Sequence, residues 1–114
     1  MKVIVAGGRD FRGTHVHEKW LKEQLEQLRA THIISGMARG ADMFGFYVGK
    51  DLGLKTLSFP ADWDKHGKSA GYKRNIEMAD NANALIVFPG GKGTEHMKNI
   101  AINKGLEVIE YKED

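Results

Sequence analysis

The chain has no cysteine among its 114 residues, which excludes a disulfide framework and any thiolate metal site and leaves the redox compartment open. It has no apolar run long enough to cross a bilayer, so no membrane partner is expected. Excess charge of one sign is also missing. Lysine and arginine number 17 against 15 acids, so a uniformly basic coat for unspecific duplex binding is absent and any basic patch must be local. The N-terminal "MKVIVAGGRD" has one lysine and a very short apolar run before glycine, too brief for a secretory signal. It reads as a first strand, and the protein is expected to be cytoplasmic. Low-complexity tracts, internal repeats and linkers between modules are all lacking. With 41% hydrophobic and 28% charged residues, the composition is that of one globular domain over residues 1–114, with a single core.

Apolar runs and helical periodicities alternate along this chain. Val3 to Ala6 run into Gly7 and Gly8, and from His15 to Arg29 the residues Val16, Trp20, Leu21, Leu25 and Leu28 recur at helical spacing. His32 to Ser35 form a second short strand before "SGMARGAD", and Phe44, Tyr47 and Val48 mark a helix ending near Gly53. "KTLSF" is a third strand stopped by Pro60; the polar "ADWDKHGKSAG" is expected to be irregular, after which Tyr72, Ile76 and Ala79 resume helical spacing. Leu85 to Phe88 make a fourth strand. The helix after "PGGKGT" carries Met97, Ile100 and Ala101 on one face, and "LEVIEY" supplies a fifth strand before the charged tail "KED". Short strands alternating with helices predict parallel pairing through right-handed crossovers. The fold class is therefore α/β, a three-layer Rossmann-like sandwich with a mostly parallel five-stranded sheet.

In such a sheet all strands point their C-terminal ends at one edge, where ligands settle beside the reversal of strand order. The loops expected there are "GGRDF", "SGMARGAD" and "PGGKGTE", whereas "DLGLK" and "NKGLE" on the opposite edge each carry one glycine at a helix C-cap. Glycine admits close approach of backbone amides to a ligand, and a helix N-terminus offers donors suited to phosphate. Arg9, Arg39, Arg74 and Lys92 lie in or beside these loops, and arginine forks match phosphate oxygens in pairs. Asp10, Asp42 and Glu95 add acceptors for ribose hydroxyls or a base, although the last two also suit the first turn of a helix. This mixture fits a nucleotide better than bare phosphate.

Neither G-x-G-x-x-G nor a complete phosphate-loop motif is present, so neither a dinucleotide dehydrogenase nor a P-loop hydrolase is favoured. Five histidines (His15, His17, His32, His66, His96) show no paired spacing on a helix face, and no metal or cofactor is expected. His96 alone is placed for chemistry. Ser35 stands at a strand end with no base supplied, which suits a small residue packing under its loop. Trp63 could stack on a base or pin a long loop to the core.

"GGRDF", "SGMARGAD", "FPADW", "AGYKRNIEMA" and "FPGGKGT", in this order, resemble the small SLOG proteins of the YspA-like group, in the Rossmann-like superfamily of DprA and the phosphoribohydrolase LOG. The resemblance covers essentially the whole chain. It implies glycine loops that bind a nucleotide or nucleotide-derived ligand, in a superfamily whose members hydrolyse nucleoside monophosphates, sense ADP-ribose-type or cyclic signals, or bind single-stranded DNA. The implied ligand-binding positions are Gly7, Gly8, Arg9, Asp10, Ser35, Gly36, Arg39, Gly40, Asp42, Trp63, Arg74, Asn75, Pro89, Gly90, Gly91, Gly93, Thr94 and Glu95. Arg74 and Pro89, Gly90, Gly91, Gly93 and Thr94 sit where the phosphoribohydrolases contact substrate phosphate. Those enzymes have a catalytic glutamate at the place of Met97, so an enzyme here would rely on Arg74 with Glu95 substituting. Met37 stands where the resemblance expects a second glycine, which puts a bulky side chain beside the ligand.

Three functions follow as expectations. The leading one is a non-catalytic module that senses or sequesters a small nucleotide-type ligand. The alternatives are a phosphoribohydrolase or N-glycosidase acting on nucleoside monophosphates, and a binder of single-stranded nucleic acid using Arg9, Arg12, Arg39, Lys73, Arg74 and Lys92 as a basic rim. The second helix, "DMFGFYVGKDLG", has more apolar surface than one sheet contact consumes, and a homodimer is expected.

Overall fold

A computed structural model describes residues 1–113; Asp114, the last residue of the charged tail, lies outside the described residues. The strands are β1 (Lys2–Ala6), β2 (His32–Ser35), β3 (Lys55–Ser58), β4 (Ala84–Val87) and β5 (Glu107–Glu110). The helices are α1 (His15–Gln27), α2 (Ala41–Asp51), the single turn α3 (Trp63–His66), α4 (Ala70–Asp80) and α5 (Lys92–Asn103). All pairings are parallel, in the order β3-β2-β1-β4-β5, so the direction of winding reverses between β1 and β4. Ile4 at the centre lies opposite Ile34 on one side and Leu85 on the other.

Successive residues of β1 feed the two faces of the sheet in turn. Val3 and Val5 join Leu21, Leu25 and Val48 under α1 and α2. Ile4 and Ala6 join Met78, Met97 and Ala101 under α4 and α5. The central strands are therefore buried on both faces, which is why they read as unbroken apolar runs. The edge strands β3 and β5 keep exposed residues at both ends. The Cα radius of gyration, 12.8 Å, is close to the ~13 Å expected of one domain of this length.

Several local expectations are corrected. The segment expected to be irregular is mostly helical: the Asp62 carboxylate accepts from the Lys65 N–H and caps α3, and a 3₁₀ turn at Gly67–Ser69 leads into α4. Tyr72 and Ile76 are exposed, and α4 instead buries Ala70, Asn75, Met78 and Ala79. Val16 of α1 and Tyr47 of α2 also face outward. In α1 the buried place goes to His17, whose Nδ1 accepts from the Thr14 N–H at 3.0 Å. The Nε2 proton of that tautomer points at Glu113. Helix α5 begins at Lys92, earlier than expected, so Gly93 and Thr94 belong to its first turn.

Candidate functional site

The C-terminal edge of the sheet brings the loops after β1, β2, β3 and β4 together, and the β1 and β4 loops flank the reversal of strand order. They are joined backbone to backbone. The Gly8 N–H donates to the Pro89 carbonyl at 2.9 Å, and the Gly8 carbonyl accepts from the Ala41 N–H at 3.1 Å. Gly40 (φ 85°) and Gly90 abut the backbone of Gly8 so closely that a Cβ on either would collide with it. These glycines serve the junction of three loops.

Gly91 and Gly93 differ. A Cβ at either would meet open space, and neither has a positive φ, so no contact within the protein requires glycine there. Both line a cleft of about 400 Å³ that opens over the first turn of α5. No side chain caps this helix, and its first internal bond runs from the Glu95 N–H to the Gly91 carbonyl. The N–H groups of Lys92, Gly93 and Thr94 thus have no acceptor among the described residues.

Gly7, Gly8, Arg9, Asp42, Trp63, Arg74, Asn75 and Thr94 line the same cleft. A second compartment of about 290 Å³ adjoins it, lined by Gly36, Met37, Arg39, Pro60 and Ala61 and sharing Arg9, Ala38, Trp63 and Arg74 with the first. Arg74 of α4 forms the seam. Its Nη1 donates to the Gly36 carbonyl at 2.6 Å and its Nε to Asn75 Oδ1 at 3.1 Å. Burial lowers its pKa, the Asp42 carboxylate raises it, and the Arg9 charge lowers it again. Asn75 in turn donates to the Gly93 carbonyl at 3.3 Å and to His96 Nδ1 at 3.2 Å, tying α4 to the first turn of α5. His96 therefore sits behind the cleft wall, edge-on to Tyr72, and burial holds its pKa below the usual imidazole value, in keeping with a ring nitrogen that accepts.

Asp42 is 7% exposed. Burial pushes its carboxyl up to about 6, against the opposing pull of Arg74, the Ala38 N–H and Arg9. A carboxyl of that kind opening on a cleft can exchange a proton near neutral pH. Trp63, 51% exposed, borders both compartments with the Arg9 guanidinium 6.0 Å from its ring centroid.

The remaining expected residues lie outside both linings. Asp10 is exposed and pairs with Arg39 at 3.4 Å. The Ser35 hydroxyl is spent on backbone: it donates to the Asp42 carbonyl and accepts from the Met37 N–H. Gly40, Pro89 and Gly90 belong to the loop junction, and Glu95 points to solvent. Met97, at the place of the hydrolase glutamate, is buried and lines the cleft. The sequence reading missed Lys68, Gly71 and Tyr72, which also line it. Their signal was present: Gly71, Tyr72 and Asn75 recur at helical spacing on one side of α4, and the 3₁₀ turn that leads into it carries Lys68.

Two comparisons bear on descent. The sequence profile of the "YspA, cpYpsA-related SLOG family" (YAcAr) matches residues 1–66, which include the β1 and β2 loops and Trp63. The Gene 61 protein of Mycobacterium phage D29 is 32% identical over 125 aligned positions, covering 96% of this chain and 95% of the phage protein. With the three-layer parallel fold and glycine loops gathered at its switch point, these matches make the chain a member of the YspA-related SLOG family.

Proposed function

We propose that the cleft binds a nucleotide or nucleotide-derived ligand through phosphate, and that the protein acts as a sensor or sequestering module for it. The observation that carries this reading is Gly93, with Gly91 just before it at the mouth of the helix. Gly93 lies inside the first turn, where glycine costs about 0.5–1 kcal/mol relative to alanine, and no neighbour requires it there; Gly91 stands at the N-cap, where glycine is favoured. Their bareness keeps three unpaired amides open to the cleft, beside the partial positive charge of the helix end. Arg74, held by Gly36 and Asn75, supplies a guanidinium to the same cleft.

The test pairs stability with capture. Gly93→Ala is expected to stabilise the ligand-free protein by about 0.5–1 kcal/mol in urea denaturation while losing ligand at least tenfold. Capture is measured by incubating protein with pooled nucleoside monophosphates, ADP-ribose, NAD and cyclic nucleotides, then analysing bound and unbound fractions by mass spectrometry. Equal capture by wild type and Gly93→Ala would reject the phosphate position.

A second reading, hydrolysis of a nucleoside monophosphate at its N-glycosidic bond, is favoured by Asp42. A buried carboxyl beside Arg74 could stabilise an oxocarbenium-like transition state or steer water. Glu95 is the rival for that role. Free base released by wild type and Glu95→Gln but not by Asp42→Asn would assign the role to Asp42, and the converse to Glu95. No release by wild type leaves binding alone.

A further inference from the structure

The second compartment is a cationic hollow, and the buried Asp42 carboxyl of the adjoining cleft offsets part of the charge of Arg74 and Arg9. Arg9, Arg39 and Arg74 contribute three guanidinium groups, and its lining contains no acid. Asp10 reaches Arg39 only from outside, at 3.4 Å, in a pair whose side chains are 97% and 76% exposed. Such a pair contributes little and yields readily to a better anion. Arg74 uses Nη1 and Nε on Gly36 and Asn75, leaving Nη2 without a partner among the described residues. The positive charge that Asp42 and the exposed Asp10 leave over favours an anion in this concave site.

This hollow and the α5 N-terminus lie in adjoining compartments that meet along Arg9, Ala38, Trp63 and Arg74. Gly91, Gly93 and Thr94 border the first compartment alone, and Arg39 borders the second alone. We propose that the ligand carries two phosphate groups on one nucleoside scaffold, one seated on the first turn of α5 and the other on Arg39 and Arg9. The inference rests on the binding reading above and adds the number of anionic groups. Trp63, bordering both compartments, offers its ring face to the part of the ligand that crosses between them. Two arrangements satisfy this chemistry: adjacent phosphates in a pyrophosphate bridge, or phosphates on separate ribose positions.

The experiment is calorimetric titration of the intact protein with purine and pyrimidine 5′-monophosphates, the matching 3′,5′-bisphosphates, and the pyrophosphate-bridged ADP-ribose and NAD. Wild type is expected to bind one of the two-phosphate groups at least tenfold tighter than the matching monophosphate, and the group that binds identifies the arrangement. Arg39→Gln, at an exposed position, should weaken that ligand about tenfold more than the monophosphate, the loss expected for one charged hydrogen-bonding group. Gly93→Ala should weaken both. Monophosphates binding as tightly as two-phosphate ligands, or Arg39→Gln weakening both equally, overturns the inference and leaves the binding reading standing. Failure of wild type to bind any of these nucleotides overturns both.

Discussion

Burying the Asp42 carboxyl costs free energy that Arg74, Arg9 and the Ala38 amide recover only in part. Below about pH 4 the group is protonated in both folded and unfolded chains, and its contribution is fully present. As pH rises to about 6 the unfolded chain releases its proton first, so the folded state loses stability. The raised value corresponds to about 3 kcal/mol for complete ionisation. Asp42→Asn should therefore gain on wild type between pH 4 and pH 8 by up to about that amount, read as the difference in urea stability at each pH. A constant difference would show that Asp42 ionises in the fold as it does in the unfolded chain. Met37 is strained differently: its φ of 62° is left-handed, which costs a side-chain-bearing residue about 1–2 kcal/mol. Met37→Gly should stabilise the protein by roughly 0.5–1 kcal/mol after the entropy of glycine is counted. Thermal unfolding checks it, and a destabilised variant would show that the thioether packs productively in the second compartment. The sequence showed that Met37 departs from a glycine pattern; only the backbone shows why glycine suits that place.

Helix ends explain most of what was legible among the elements. Helices α2 and α5 end in paired reverse bonds: Gly53 to Lys50 with Leu54 to Gly49, and Gly105 to Ile102 with Leu106 to Ala101. Both glycines have left-handed φ, as their places in "DLGLK" and "NKGLE" suggested. Helix α1 closes in the same way, with Arg29 to Glu26 and Ala30 to Leu25, but its left-handed residue is Arg29. No turn residue marks that end. Arg29→Gly is expected to stabilise by about 0.5–1 kcal/mol and Gly53→Ala to destabilise by about 1 kcal/mol, both by chemical denaturation. The opposite order would mean that the Arg29 side chain contributes more than its backbone costs. The α3 turn was illegible for a simpler reason: four residues are too few for periodicity, and only the Asp62 cap announces them. Helix α4 misled because its buried face holds Asn75, a polar residue satisfied by Gly93 and His96, while Tyr72 and Ile76 stay outside.

For the whole molecule, self-association is the open expectation. Tyr47 and Leu52 leave apolar surface at the outer side and end of α2. We propose this face as the contact between two copies; sedimentation should then give a dimer for wild type and a monomer for Tyr47→Asp. A monomeric wild type at working concentrations would reject it.

The sequence by itself determined the alternation of strands and helices, the parallel sheet, and the edge at which the glycine loops gather. These follow from periodicity and turn chemistry, which act between residues close in the chain. Only the tertiary structure decided that Gly8, Gly40 and Gly90 serve one another while Gly91 and Gly93 face the cleft. It also decided that Asp42 lies inside while Asp10 and Glu95 lie outside, and that Lys68 and Tyr72 join the wall. Those assignments depend on what stands across a gap from each side chain. Such neighbours come from loops dozens of residues apart, and their meeting is set by how the sheet is wound.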